Sequence, residues 1–109
     1  MESEKFSYIF TKTAEEDIGG IVDYMATELA NPDAAGRFLD ELEIKLDDIC
    51  QSPNIGRVVE NEYLKRDDVR RFLVGNYIAY YLVDQNEQRV VLLRIVYGKR
   101  NQNKILKDI

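Results

Sequence analysis

The chain has 109 residues, which suits one domain with a single modest hydrophobic core. Its single cysteine cannot form a disulfide within the chain, which agrees with a reducing compartment. Histidine is absent, which removes the commonest general base and metal ligand. No Cys/His cluster, P-loop or GxGxxG motif is present, so we expect no metal site and no cofactor.

Nothing in the sequence predicts contact with a membrane or export. No apolar run approaches the roughly 20 residues that a membrane-spanning helix requires. The N-terminal MESEKFSYIF has acidic residues where a signal peptide has a basic region. We therefore expect a cytoplasmic protein.

Charge is divided unevenly along the chain. The net charge is -5, but residues 1–56 hold 4 Lys/Arg against 13 Asp/Glu, a balance of -9. Residues 57–109 hold 11 against 7, a balance of +4. Charges act locally, within a Debye length of roughly 8 Å. The second half therefore suits a surface for a polyanion or an acidic partner, although a solvated acidic hairpin beside a slightly basic sheet is the plainer alternative.

The first 30 residues predict a strand and a helix. Residues 6–11 alternate in the manner of a strand. Thr13 and Glu16 form a capping-box pattern that should begin the helix. Gly19 and Gly20 inside the helix each cost roughly 1 kcal/mol against alanine, so we expect the close approach of a neighbouring backbone or a local kink. The apolar stripe of this helix comprises Ile18, Ile21, Val22, Met25 and Leu29.

A second helix should follow at once and fold back on the first. Asn31 is a suitable N-cap, and Pro32 suits the first turn. The helix should end near Cys50, and only a few residues separate it from the first helix, which predicts an antiparallel hairpin. Residues 54–68 are expected to form a polar loop with a short strand near 57–59. The second apolar stripe comprises Ala35, Phe38, Leu39, Leu42, Leu46 and Ile49.

Residues 69–101 predict a three-stranded antiparallel meander with turns at 75–76 and 84–86. The whole chain, 1–109, then forms one α+β domain in the order β-α-α-β-β-β, with the helical hairpin packed on one face of the sheet. Cations interrupt the strands and follow the last of them: Arg70, Arg71, Arg94, Lys99 and Arg100.

Strand alternation assigns these cations to faces of the sheet. Arg94 should lie with Tyr80 on the face away from the helices, because an unpaired arginine is costly to bury. An ion pair of Arg94 with an acidic residue of the hairpin is the alternative. Arg70 and Arg71 should point to opposite sides of their strand. Arg71, Arg94 and Arg100 are expected near one another or near the sheet edge.

Other features also have two interpretations. The tyrosines of the middle strand suit cross-strand packing or a binding platform. Lys99 and Arg100 suit a solvated turn or a functional edge. Residues 101–109 predict a short amphipathic helix, which either docks on the body of the protein or stays frayed.

The order of these segments resembles the RelE/ParE superfamily of toxins from type II toxin–antitoxin systems. The resemblance rests on a Pro–x–x–Gly stretch from Pro53 to Gly56, then VRR, GNYIAYYLVD and VVLLRIVYGKRN, and extends from the first strand to Asn101. It implies a small toxin whose cognate antitoxin wraps the sheet and hairpin with its C-terminal segment. A homodimer or a heterotetramer with the antitoxin is expected.

Members of the RelE-like branch cleave messenger RNA on the ribosome with basic residues and a tyrosine. Carried over to this chain, the resemblance makes Arg71 and Arg100 catalytic candidates. The branch's arginine after the turn falls at Ile78, its tyrosine at Leu106 and its first strand lysine at Val69. These apolar residues argue against an mRNA interferase.

The ParE-like branch inhibits DNA gyrase by binding, which needs no catalytic group. This chain is similar to it in the helical hairpin, the arginine-rich strand and the Leu-Arg-Ile sequence. We therefore expect a ParE-like, growth-inhibiting toxin associated with plasmid stabilization. An mRNA interferase and an inactive, interaction-only member are the alternatives. Residues expected to bind the target or the antitoxin are Arg70, Tyr80, Arg94 and Lys99.

Overall fold

A helical hairpin and a five-stranded sheet make up the computed structural model, which describes residues 6–109. A π-helical turn at Tyr24–Glu28 extends the first helix. The helices are α1 (Lys12–Asp23), α2 (Pro32–Gln51) and α3 (Gln102–Lys107), and the strands are β1 (Ser7–Phe10), β2 (Arg57–Val58), β3 (Arg70–Val74), β4 (Tyr77–Asp84) and β5 (Arg89–Tyr97).

The strands lie in the order β1-β5-β4-β3-β2. Strands β3, β4 and β5 form the predicted antiparallel meander, and β2 adds antiparallel to β3. Strand β1 pairs in parallel with β5, which the long helical connection allows. Helices α1 and α2 pack on one face of the sheet, so the predicted two-layer α+β fold is confirmed.

Helix α1 begins at a different cap from the predicted one. The hydroxyl of Thr11 accepts a hydrogen bond from the amide of Ala14 at 3.0 Å and donates one to the carbonyl of Leu93 at 3.0 Å. The prediction of Thr13 is therefore wrong. The reason lies in the sheet: Thr11 directly follows β1, so its hydroxyl can bind both the helix and β5.

The cap of α2 is as predicted, because Asn31 accepts from the amide of Ala34 at 3.1 Å. The close backbone approach expected at Gly19 and Gly20 is wrong, since a Cβ added to either would meet nothing within 4 Å. The departure from α-helical geometry begins after them, at Tyr24.

Each face of the sheet has its own hydrophobic cluster. The inner cluster lies between the sheet and the hairpin, and α3 covers the outer cluster on the opposite face. Because the hairpin covers one face of the sheet and α3 covers the other, β4 carries apolar side chains on both faces. Buried members of the inner cluster include Leu42, Leu46, Ala79, Tyr81, Leu92 and Ile95, and those of the outer cluster are Leu64, Val69, Ile78, Tyr80, Val96, Ile105 and Leu106.

A β-bulge in β5 changes the predicted faces. Tyr80 pairs with Arg94 and Tyr81 with Leu92, so Leu93 is the extra residue. Strict alternation would put Leu92 and Ile95 on opposite faces, but both pack in the inner cluster. The bulge therefore shifts the alternation by one residue at the position of Arg94.

Arg94 forms an ion pair with the helical hairpin. Its Nε lies 2.7 Å from Oδ2 of Asp17 on α1, and its Nη2 lies 3.1 Å from Oδ1. The same carboxylate accepts from the amide of Ile95 at 3.1 Å. This hydrogen-bonded pairing raises the pKa of Arg94. The register places Arg94 beside Tyr80, as predicted, and of its two predicted roles the ion pair with an acidic residue of the hairpin is the one observed.

The loop after α2 is tied to the sheet by Tyr81. Its hydroxyl donates to the carbonyl of Pro53 at 2.7 Å and accepts from the amide of Gly56 at 3.0 Å. Nη1 of Arg70 donates to the carbonyls of Asn54 and Gly56 at 2.9 and 2.7 Å. A Cβ at Gly56 would overlap the Tyr81 hydroxyl, so only glycine fits there.

We predict that Gly56→Ala lowers the free energy of unfolding by about 2 kcal/mol, because the added methyl forces Tyr81 out of its site. Gly36→Ala is the matched control, since a Cβ on that exposed helical glycine meets nothing within 4 Å. The control should raise stability by about 0.5–1 kcal/mol. Urea denaturation measures both, and equal effects would contradict the close packing at Gly56.

We also predict that Asp17→Ala lowers the free energy of unfolding by about 3 kcal/mol, because it leaves a largely buried guanidinium without its partner. Asp68→Ala is the control, since the Arg66–Asp68 pair has side chains 46% and 47% exposed. Exposed pairs contribute at most about 1 kcal/mol. If the two losses, measured by urea denaturation, were equal, the Asp17 pair would not hold α1 to β5.

Candidate functional site

A row of cations and one tyrosine crosses the sheet from β2 to β5. In the sheet register Arg57 pairs with Arg71, Arg71 with Tyr80, and Tyr80 with Arg94. Arg94 is bound to Asp17 at one end of the row. Within residues 6–109, no carboxylate lies within ion-pairing distance, 4.0 Å, of Arg57 or Arg71 at the other end.

These two arginines line a cleft on the outer face. Its volume is about 440 Å³, and α3 forms its far wall. Beside them, the Tyr80 hydroxyl donates to Oε1 of Gln102 at 2.6 Å. Burial raises the pKa of Tyr80, and the charge of Arg71 opposes that rise. The lining residues are Arg57, Val58, Val59, Glu60, Asn61, Arg71, Tyr80, Gln102 and Leu106.

The C-terminal helix α3 is docked on this face. Asn101 caps it by accepting from the amide of Lys104 at 3.3 Å, and Nδ2 of Asn61 donates to Oδ1 of Asn103 at 2.9 Å. Ile78 and Leu106, at two positions where RelE-like toxins carry catalytic side chains, are 8% and 3% exposed within the outer cluster. Both side chains therefore serve packing.

Two of the predicted binding residues are engaged inside the molecule. Arg70 holds the loop after α2 through two carbonyls, and Arg94 is paired with Asp17. As predicted, Arg70 and Arg71 lie on opposite faces of the sheet. Arg70 pairs with Tyr81 of the inner cluster, and Arg71 pairs with Tyr80 of the outer cluster. In each pair the charge of the arginine opposes the rise in the pKa of the tyrosine.

Lys99 and Arg100 lie exposed in the turn after β5. Arg100 lines a separate groove of about 790 Å³ between α1 and the sheet. Tyr24, Leu29 and Tyr97 contribute apolar surface to this groove and are 51%, 53% and 41% exposed. We call it the hairpin groove.

Arg71, Arg94 and Arg100, which are expected near one another or near the sheet edge, line different cavities. Sequence reasoning missed Arg57, although the short strand expected near residues 57–59 contained it. Pairing that strand with β3 would have placed Arg57 opposite Arg71, but the register depends on the loop anchored by Tyr81.

The described residues offer no metal site, since no group of three His, Cys, Asp or Glu side chains is close enough to hold an ion. No helix among residues 6–109 is long and apolar enough to cross a membrane.

Residues 8–102 match the family model described as ParE toxin of type II toxin–antitoxin system, parDE. No curated protein matches significantly. A chain of the chromosomal ParDE TA system from P. aeruginosa has a similar fold, with a TM-score of 0.68, 21% identity and coverage of 89% of this chain and 100% of that one.

Two further structures share the fold at low sequence identity. For the toxin–antitoxin complex RelBE2 from Mycobacterium tuberculosis the TM-score is 0.61, with 20% identity and coverage of 86% and 99%. For a RelE mutant from E. coli it is 0.64, with 13% identity and coverage of 96% of both chains. The family match spans most of the sequence, and the chain belongs to the ParE toxin family of type II toxin–antitoxin systems.

Proposed function

We propose that this protein is a growth-inhibiting toxin that acts by binding DNA gyrase and is neutralised by a cognate antitoxin. Membership of the ParE toxin family supports the role of toxin. The choice of gyrase rests on the likeness to the ParE-like branch, which is an argument by analogy. The observation that favours binding over RNA cleavage is the burial of Ile78 and Leu106, two positions where RelE-like toxins carry catalytic side chains.

RNA cleavage by attack of a ribose hydroxyl needs a group that takes its proton and cations that stabilise the developing charge at the same phosphate. On the outer face, Ile78 and Leu106 are packed hydrocarbon, and the Tyr80 hydroxyl is bound to Gln102. Arg71 and Arg100 line different cavities. These residues do not surround one phosphate.

The hairpin groove supports the proposal of an antitoxin. Its exposed tyrosines and leucine suit the apolar face of an amphipathic segment. The floor includes Gly20, where an added Cβ would meet nothing within 4 Å, so a partner backbone can come close to α1. Two of the structures with a similar fold are complexes of a toxin with its antitoxin. A heterotetramer or a homodimer is the expected assembly.

An mRNA interferase is the second candidate. It is favoured by one observation, the position of Arg71 beside Tyr80 in an open cleft. An inactive, interaction-only member would retain the fold and the antitoxin but inhibit neither process.

We predict that induced expression stops bacterial growth and that co-expression of the adjacent small open reading frame restores it. Tyr24→Asp should reduce this rescue without reducing toxicity, because it puts a charge into the hairpin groove. Ile44→Asp is the matched control, since Ile44 is 61% exposed and does not line the groove. Growth counts measure both effects. Normal growth without the antitoxin would leave only the inactive, interaction-only alternative. Equal rescue of the two variants would exclude the hairpin groove as the binding site of the antitoxin.

We further predict that the purified protein inhibits DNA supercoiling by gyrase and does not cut messenger RNA on translating ribosomes. The reason is the absence of an acid–base pair on the outer face among the described residues. A supercoiling assay and primer extension, run on the same preparation, measure the two activities. Codon-dependent cuts that disappear in Arg71→Gln would reverse the assignment in favour of the interferase.

A further inference from the structure

We propose that the part of the outer face that α3 leaves uncovered is an interface between two copies of this chain. Its side chains form two cross-strand rows, and we call it the open half-face. The first row is Ile9, Val91 and Leu82, and the second is Ser7, Arg89 and Asp84. The interface goes beyond the proposed function, because it assigns a surface to the expected homodimer and requires neither gyrase nor an antitoxin.

Helix α3 covers only one half of the outer face. The outer cluster includes Ile78, near the start of β4, and Val96, near the end of β5. Farther along the same strands, Leu82 and Val91 also lie on the outer face, because the residues on either side of each pack in the inner cluster. Ile9 lies beside Val91 and is 39% exposed. This first row belongs to neither hydrophobic cluster, and an apolar row on a sheet is stabilised by a covering layer.

The second row places two opposite charges side by side without an ion pair. Arg89 and Asp84 are cross-strand partners, but within residues 6–109 no ion pair joins them or joins either to another side chain. Nε of Arg89 is buried and has no hydrogen-bond partner among these residues, which is costly for a charged donor. The carboxylate of Asp84 accepts from the amide of Glu87 at 3.1 Å through Oδ1. Both charged groups therefore suit a partner from outside the chain.

A two-fold axis makes the open half-face complementary to itself. The strands of two packed sheets lie nearly aligned, with the sheets about 10 Å apart. An axis parallel to the strands and midway between β4 and β5 places Arg89 opposite the partner's Asp84, and symmetry repeats that pair. The same axis places Val91 opposite the partner's Leu82. Each copy thus supplies the opposite charge that the other lacks, beside a shared apolar centre.

The charges favour a second copy over a different protein. The open half-face carries one cation, Arg89, and one anion, Asp84, so it has no net charge. A strongly acidic or basic partner would pair one of them and leave the other unpaired and desolvated, whereas a second copy pairs both. The apolar centre consists of three side chains a copy, which is small for a protein interface. We therefore expect a weak dimer that forms at micromolar concentrations.

The first test is sedimentation velocity of the full-length protein alone over a micromolar concentration series. The wild type should show a reversible equilibrium between monomer and dimer. Leu82→Lys should weaken dimerisation at least about tenfold, because it puts a charge into the apolar centre. Ile44→Lys is the matched control and should dimerise like the wild type, since Ile44 is 61% exposed on α2, in the other layer. A wild type that stays monomeric, or equal dimerisation of the two variants, would overturn the proposal.

The second test exchanges the charges. Arg89→Asp and Asp84→Arg should each weaken dimerisation at least about tenfold, because like charges then meet across the axis. An equimolar mixture of the two variants should dimerise about as tightly as the wild type, since the two acids of one variant face the two arginines of the other. Thermal unfolding checks that each variant is folded before mixing. A mixture of folded variants that stays monomeric would overturn the two-fold arrangement.

Discussion

The hydroxyl of Tyr81 fixes where the chain leaves the helical hairpin and returns to the sheet. It belongs to a fully buried side chain and binds the carbonyl of Pro53 and the amide of Gly56, so two backbone groups of an irregular loop are satisfied in the interior. Arg70 binds the same loop from the next strand. With the loop held there, the residue that follows Gly56 must begin β2 beside β3. The position of Arg57 opposite Arg71 therefore depends on a contact in the inner cluster.

The ion pair between Asp17 and Arg94 has a similar role at the other side of the sheet. It joins α1 to β5 at the bulge, where the alternation of β5 shifts and a guanidinium would otherwise lie in a partly buried position. Arg94, which the sequence suggests as a binding residue, therefore forms a contact within the protein. The two ends of one cross-strand row thus differ: Arg94 is ion-paired with Asp17, whereas Arg57 and Arg71 have no carboxylate within 4.0 Å among the described residues.

Docking of α3 decides what the outer face can do. The helix covers Ile78 and places Leu106 against it, which makes this face a second hydrophobic cluster with a polar cleft at one side. Among the described residues, the centre of this surface is packed hydrocarbon and has no acid–base pair. The hairpin groove, between α1 and the sheet, offers apolar surface.

The sequence by itself determined the hairpin, the meander and the family, because helical and strand periodicity, the Asn31 cap and the turn residues are local signals. It also predicted that Arg70 and Arg71 lie on opposite faces, since alternation within one strand is local. Only the tertiary structure decided the rest. The choice of Thr11 over Thr13 as cap, the partner of Arg94 and the pairing of Arg57 with Arg71 all depend on which strands lie side by side. A bulge in β5 and a parallel β1 are contacts between distant segments, and no local pattern encodes them.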